Sequence, residues 1–592
     1  MRKSVVLFVS AVVSYNAFSA DYLTSDVAPY VYPENKSEVP AGFSYAADGN
    51  GCYMLSSDHK TIDRYDIKTG KKIETIFDVD RVRETSIDDI EGFEVCANGR
   101  YILVYRDSDP IYRRSFTANY YIYEVRSRLL RPLSYDFQRQ RAPLMTDDGR
   151  MVAFVADDNN IYIKKVDYDS QVAVTTDGSV NKIINGVPDW VYEEEFSTTC
   201  SMVWSPDNLT LCFLKYDEAE VPMYTLPVYE GTCDPKKEYA LYPGMYSYKY
   251  PMPGVKNSKV TLHAYGVETR KTVDITLPDN SIEYIPRIAY GAADDRLLVS
   301  TLNRDQNKFV IYDVNPRSAV SKSVYVDNAK AWIEEGCYDD IVYGEDYFVV
   351  MSARSGFNHY YRYAYNGTLQ KSLTSGDYDA TAFYGYDANG NYYYQAASPS
   401  PLDRVVYKAD AKGKVTIISD KSGTNDARFS ADMSYAMMVH SDVSTPPLYT
   451  INTSDGKRLR VLEDNAKVAA RFSSLPKKEF FTMTSDGVKL NGYIIKPAGF
   501  VDTQKYPTIM SQYSGPGSQQ VLNRWSVDWE QYFATQGYVV VCVDGRGTGG
   551  RGHDFMDVVY KRLGYYETID QVNAAKYAAS LPYVDASRIG IY

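Results

Sequence analysis

Two rhythms of apolar and polar residues divide the chain. From about residue 40 to 470, short apolar or aromatic runs alternate with small polar turns, as in Met151-Val152-Ala153-Phe154-Val155 followed by Ile161-Tyr162-Ile163. Runs of this kind, rich in β-branched and aromatic residues and bounded by Asp, Asn, Ser and Gly, predict strands. The turns recur at Ala47-Asp48-Gly49, Ala97-Asn98-Gly99, Asp147-Asp148-Gly149, Ser205-Pro206-Asp207, Ala293-Asp294-Asp295, Gly344-Glu345-Asp346, Asp387-Ala388-Asn389-Gly390 and Ser430-Ala431-Asp432. Most intervals between them are 43 to 58 residues, the period of a four-stranded propeller blade. Eight turns predict an all-β, eight-bladed β-propeller over 40–470. The longer interval from Ser205 to Ala293 predicts an insertion.

After Pro476 the rhythm changes. Glu479–Met483 and Leu490–Ile495 predict a hairpin around Ser485-Asp486-Gly487, and Pro507–Ser511 a further strand. A helix is expected from about Trp525 to Thr535. Val539–Asp544 is a continuous apolar run of the kind buried in parallel sheets. Over Glu567–Ala579, helical spacing puts Ile569, Val572, Ala575 and Ala579 on one face and Asp570, Asn573 and Lys576 on the polar side. Ser587–Tyr592 reads as a short buried strand. Alternating strands and helices predict an α/β domain over 471–592. About 115 residues are too few to cover both faces of a parallel sheet, so an incomplete domain is expected. The order of these elements, with Tyr513-Ser514-Gly515-Pro516 and Asp544-Gly545-Arg546-Gly547-Thr548-Gly549, resembles the approach of an α/β-hydrolase to its nucleophile elbow. No G-x-S-x-G occurs in the 592 residues.

Arg2-Lys3, the apolar run from Ser4 to Val13 and Ala17-Phe18-Ser19-Ala20 predict a cleaved secretory signal over 1–20. The run is too short for a membrane anchor, which needs about 20 apolar residues. Export to a periplasm, or secretion to the medium or cell surface, is the expectation. A net charge of −12 argues against nucleic acid as partner. Seven scattered cysteines without CxxC spacing exclude thiolate zinc and thioredoxin-like sites. One or two disulfides fit an exported chain, with Cys542 the natural free thiol. No metal or cofactor is implied.

Asp189-Trp190-Val191-Tyr192-Glu193-Glu194-Glu195-Phe196 is the most diagnostic segment. Three glutamates in a row beside Trp and Tyr are electrostatically awkward unless a cation binds there. The segment resembles the double-glutamate motif of the dipeptidyl peptidase IV group in the prolyl oligopeptidase family. Tyr112–Tyr120, Val203–Pro206, Glu220–Tyr224, Leu459–Asn465, Tyr513–Pro516, Asp544–Gly549 and Arg562–Gly564 follow the same family in the same order. The resemblance covers nearly the whole chain after the signal, and the family fold is a propeller capping an α/β-hydrolase.

The resemblance implies a serine exopeptidase that releases N-terminal dipeptides, with Pro or Ala second. Glu194 and Glu195 would hold the substrate ammonium by charge-assisted hydrogen bonds, with Glu193 a neighbour. Arg113 would bind the carbonyl of the second residue, with Arg114 the fallback, since the family has His after this arginine. Tyr513 would donate to the oxyanion. The nucleophilic Ser, the Asp and the His are absent from the chain, which should be inactive alone. His553 precedes the nucleophile position and is read as structural, because such triads run Ser, Asp, His. The implied partners are peptides with a free N-terminus and, at full length, a second copy of the chain. Two alternatives stand beside this reading: a non-catalytic propeller that binds peptide N-termini, and a tripeptidyl or acylaminoacyl relative.

Overall fold

The computed structural model describes residues 36–229 and 241–592; the predicted signal and Cys233 lie outside them. All eight predicted turns join the first strand of a sheet to its second. The cause is local. Asp48 accepts from the amide of Asn50 (3.1 Å), Asn98 from Arg100 (2.8 Å), Asp148 from Arg150 (3.0 Å), Asp207 from Leu209 (3.0 Å), Asp387 from Asn389 (2.9 Å) and Asp432 from Ser434 (3.1 Å). Side chains of this type close a turn on their own backbone two residues on.

Eight antiparallel four-stranded blades result, over 44–78, 92–132, 140–173, 202–275, 282–328, 342–372, 380–417 and 424–463. In blade 4 an extra strand, Ile183–Asn185, pairs with Thr210–Asp217. The first and last blades touch. Arg428 donates to the Phe43 carbonyl (2.9 Å), Arg460 to the Ile67 carbonyl (3.0 Å), and Phe43, Cys52 and Ile67 share an apolar cluster with Ile451. The predicted insertion is a hairpin, Met223–Val228 with Gly244–Lys249, between the second and third strands of blade 4.

The second domain holds a five-stranded sheet in the order Lys478–Ser485, Val488–Ile495, Val539–Asp544, Tyr506–Ser511, Val584–Ile591. The first two pair antiparallel, and the last three run parallel to one another. Val539–Asp544 is buried throughout, as its unbroken apolar run requires. The helix Trp529–Thr535 starts on a capping box between Asp528 and Gln531. It begins four residues later than the pattern predicted. All six described cysteines are free thiols, Cys542 among them, so the disulfide expectation has no support among the described residues. No described helix is long and apolar enough to cross a membrane.

Two expectations are corrected here. The last strand is not buried: it pairs on one side only, and Ile591 and Tyr592 are exposed. The helix Tyr566–Ser580 buries Asp570 and Gln571 together with Ala574 and Ala578, while Val572 is exposed. Asp570, placed on the polar face by the pattern, has no exposed surface because Arg546 meets it inside. Arg546 donates through its amide (2.7 Å), Nε (3.0 Å) and Nη2 (2.7 Å), and Ser485 Oγ adds a bond of 2.6 Å. A fully hydrogen-bonded ion pair tolerates burial that an isolated carboxylate does not.

The two domains meet along blades 5 to 8. Tyr560 donates to the Asp305 carbonyl (2.7 Å), His553 donates its amide to the Gly356 carbonyl (2.8 Å), Gly552 donates to Asp379 (2.8 Å), Arg404 to Gln519 (2.6 Å) and Thr424 to the Asn523 carbonyl (3.1 Å).

Candidate substrate-binding site

The glutamate segment forms a short helix, Trp190–Phe196, inserted between Ile183–Asn185 and the first strand of blade 4. Asp189 caps it by accepting from the Tyr192 amide (3.0 Å), and Ser258 Oγ holds the other carboxylate oxygen (2.5 Å). Ser197 ends the helix in the left-handed region (φ 53°). Tyr192 is buried and its hydroxyl accepts from the Ile285 amide (2.9 Å), which ties the helix to blade 5. The helix is thus short but rigidly seated.

Arg113 stands in the loop between the blade 2 strands Tyr101–Pro110 and Phe116–Glu124. Its guanidinium grips Glu194 in bidentate fashion, Nε at 3.0 Å and Nη2 at 2.7 Å. Such a fork fixes direction as well as charge. Glu193, 1% exposed, faces the same loop from behind. It accepts the amides of Arg114 (2.7 Å) and Ser115 (2.8 Å) and the Ser115 hydroxyl. Arg114 turns away from Glu194 and donates to the Glu193 carbonyl (2.9 Å). So Arg113, not Arg114, meets Glu194 of the predicted pair.

Glu195 has no hydrogen-bond or ion-pair partner among the described residues. Burial, then the neighbouring carboxylates of Glu194 and Glu335, raise its carboxyl above the ordinary value. An unpaired carboxylate held beside a paired one is a receptor for a single cation with several donors, such as a primary ammonium.

Tyr513 lies in the other domain, just beyond the C-terminal end of Tyr506–Ser511, and no contact joins it to the glutamates. Its side chain is 70% exposed, and its ring rests against Gly515, where a Cβ would come within 2.5 Å of it. Ser514 takes a left-handed turn (φ 57°) and its hydroxyl accepts from Gln571 Nε2 (3.2 Å), which also donates to the Val543 carbonyl (2.9 Å). Farther along, Asp544 accepts the amides of Gln520 (3.1 Å) and Val521 (2.8 Å). Burial raises Asp544 to about 6, against the pull of those amides. The turn carrying Tyr513 is therefore stitched to the Gly-rich turn after Val539–Asp544.

His553 takes no place in this constellation. It bonds Asp557 (3.0 Å), Glu334 (3.2 Å) and Asn358 (3.2 Å) at the domain boundary. Burial alone would depress it, but the Asp557 and Glu334 carboxylates outweigh that and raise it to about 10. Sequence reasoning missed the locking role of Glu193 and the support from Gln571. For Glu193 a signal existed: on a helix, consecutive residues point about 100° apart, so three glutamates in a row cannot all face one ligand.

A propeller of eight blades joined to a 1-2-4-3-5 sheet is the frame of a propeller-capped α/β-hydrolase. Residues 96–447 match the model of the dipeptidyl peptidase IV N-terminal region, and residues 525–592 match the prolyl oligopeptidase family. The chain belongs to that family of serine peptidases, in its dipeptidyl peptidase IV branch. It is similar to dipeptidyl peptidase 4 of Porphyromonas gingivalis, at 42% identity and a TM-score of 0.90, over 95% of this chain and 80% of that one. The probable dipeptidyl-aminopeptidase B of Arthroderma benhamiae is 31% identical over 81% of this chain and 56% of its own length. That of Talaromyces marneffei is 31% identical over 83% and 58%. The chain thus spans little more than half the length of these fungal relatives. A putative dipeptidyl aminopeptidase IV of Bacteroides ovatus, at 22% identity and a TM-score of 0.76, shares the fold.

Proposed function

We propose that this chain supplies the substrate-selecting part of an exported serine exopeptidase that removes N-terminal dipeptides, with Pro or Ala as second residue. The observation that carries the reading is the division of labour at the glutamates. Arg113 saturates Glu194 while Glu195 stays unpaired. One ammonium bridging the two carboxylates would fix the distance from the N-terminus to the scissile bond and reject blocked termini.

In the whole protein a serine hydroxyl attacks the carbonyl of the second residue, and a histidine oriented by an aspartate takes its proton. The Tyr513 hydroxyl donates to the oxyanion. The shortened peptide leaves with the proton, and water then cleaves the acyl-enzyme to free the dipeptide. No G-x-S-x-G turn that would carry that serine occurs among the 592 residues. Two carboxylates in the dipeptide register favour this reading over a tripeptidyl or acylaminoacyl activity.

A homodimer belongs to the same proposal. The hairpin Met223–Val228/Gly244–Lys249 carries Met223, Tyr224, Leu226, Met245 and Tyr246 exposed, a patch of the kind that marks an interface.

The test is hydrolysis of an Xaa-Pro chromogen by the whole protein and by Glu194→Gln. Loss of one charge-assisted hydrogen bond, about 1.5–3 kcal/mol, raises KM about tenfold to a hundredfold. A whole protein that releases no dipeptide, or an unchanged KM, refutes the reading.

A further inference from the structure

Glu195 is placed by its backbone alone. Arg113 directs Glu194, and the amides of Arg114 and Ser115 direct Glu193. The Glu195 side chain has no hydrogen-bond or ion-pair partner among the described residues. Where its carboxylate stands therefore depends on how the last turn of Trp190–Phe196 is held. A helix end leaves carbonyls without a partner inside the helix. Ser197 then follows in the left-handed region (φ 53°), which a residue with a Cβ enters at a cost.

Arg287 supplies the hold. It lies on the first strand of blade 5, Ile282–Tyr290, where the register with Leu297–Asn303 shifts between Tyr284 and Arg287. Such a bulge re-aims a side chain. The guanidinium reaches the glutamate helix: Nη2 donates to the Phe196 carbonyl and Nη1 to Thr198 Oγ1 (2.6 Å). Nη1 also donates to the Pro286 carbonyl (2.8 Å) and Nε to Asp339 (2.7 Å), with Glu335 at 3.6 Å from Nη2. Thr198 is buried, and its amide, like that of Ser197, donates to the Tyr192 carbonyl. Glu334, beside Glu335, meets His553 of the second domain (3.2 Å). One side chain thus ties the end of the glutamate helix to blade 5 and to the segment that touches the second domain. A planar guanidinium serves several acceptors in fixed directions, which an ammonium does not.

We propose that Arg287 is a positioning residue of the amine pocket: acting through the Phe196 carbonyl and Thr198, it fixes where Glu195 presents its carboxylate. The inference rests on the reading of Glu194 and Glu195 as the ammonium site, and adds the group that sets its unpaired half.

The test compares the whole protein with Arg287→Met on an Ala-Pro chromogen. An ammonium held equally in the ground and transition states contributes to KM and not to kcat. Arg287→Met therefore raises KM about tenfold and leaves kcat within about twofold. A role in folding alone would lower the amount of active protein, which reduces the apparent kcat and leaves KM where it was. Hydrogen exchange at the Ser197 and Thr198 amides is read in parallel and quickens about tenfold. Should Arg287→Met fail to fold, Thr198→Val combined with Asp339→Ala keeps Arg287 and removes two of its partners; it raises KM about fivefold. If the unaltered whole protein releases no dipeptide, the peptidase reading falls and the positioning role falls with it. If that protein is active and the variant keeps its KM within about twofold, only the positioning role is overturned, whether or not the two amides exchange faster.

Discussion

Glu193 is the residue whose removal most directly tests how the site is held. It is 1% exposed and accepts two backbone amides at 2.7 and 2.8 Å. A hydrogen bond to a charged acceptor contributes about 1.5–3 kcal/mol. Glu193→Ala strips both, and water reaching the opened loop recovers part, leaving a net loss of about 3 kcal/mol. Opening of the Arg113 loop then becomes about 150-fold more populated. Glu193→Gln keeps one acceptor oxygen and loses the charge, so about 1–1.5 kcal/mol and roughly tenfold are expected. Amide hydrogen exchange of a peptide spanning 111–118 reads this directly, with a blade 7 peptide over 380–396 as internal reference. A local measurement is chosen because a two-domain chain does not unfold in one step. Exchange at Arg114 and Ser115 within about twofold of the parent in Glu193→Ala would refute the claim that this carboxylate locks the loop.

Asp570→Ala leaves Arg546 enclosed without its carboxylate and should destabilise the second domain by about 3–5 kcal/mol. Urea unfolding followed by tryptophan fluorescence checks it, and an unmoved midpoint contradicts it. His553 holds a proton in the folded state up to about 10, against an ordinary value of 6.5. The stabilisation is complete below that ordinary value and is lost as pH rises through about 10, with a slope of at most about 1.4 kcal/mol per pH unit. His553→Gln should flatten this decline between those limits, and parallel pH profiles for the two proteins would refute it. Leu226→Lys with Met245→Lys charges the exposed hairpin; sedimentation of the whole protein should shift from dimer to monomer, and an unshifted dimer removes the hairpin from the interface.

The propeller was legible because its signal is local and repeated. Six of the eight blades close their first turn with a short Asp or Asn side chain, and the spacing of the turns survives in the sequence. The substrate site was half legible. The glutamates and Arg113 stand out as a motif, but Arg113 and Glu194 meet across 81 positions, a distance no periodicity reports. The division of roles among the three glutamates needed the direction of each side chain. Asp570 was misplaced for a different reason. A helical wheel assigns polar residues to water, yet the partner that makes burial acceptable, Arg546, comes from a turn after a neighbouring strand. The last strand was misread because apolar content reports strand formation, while burial depends on having neighbours on both sides.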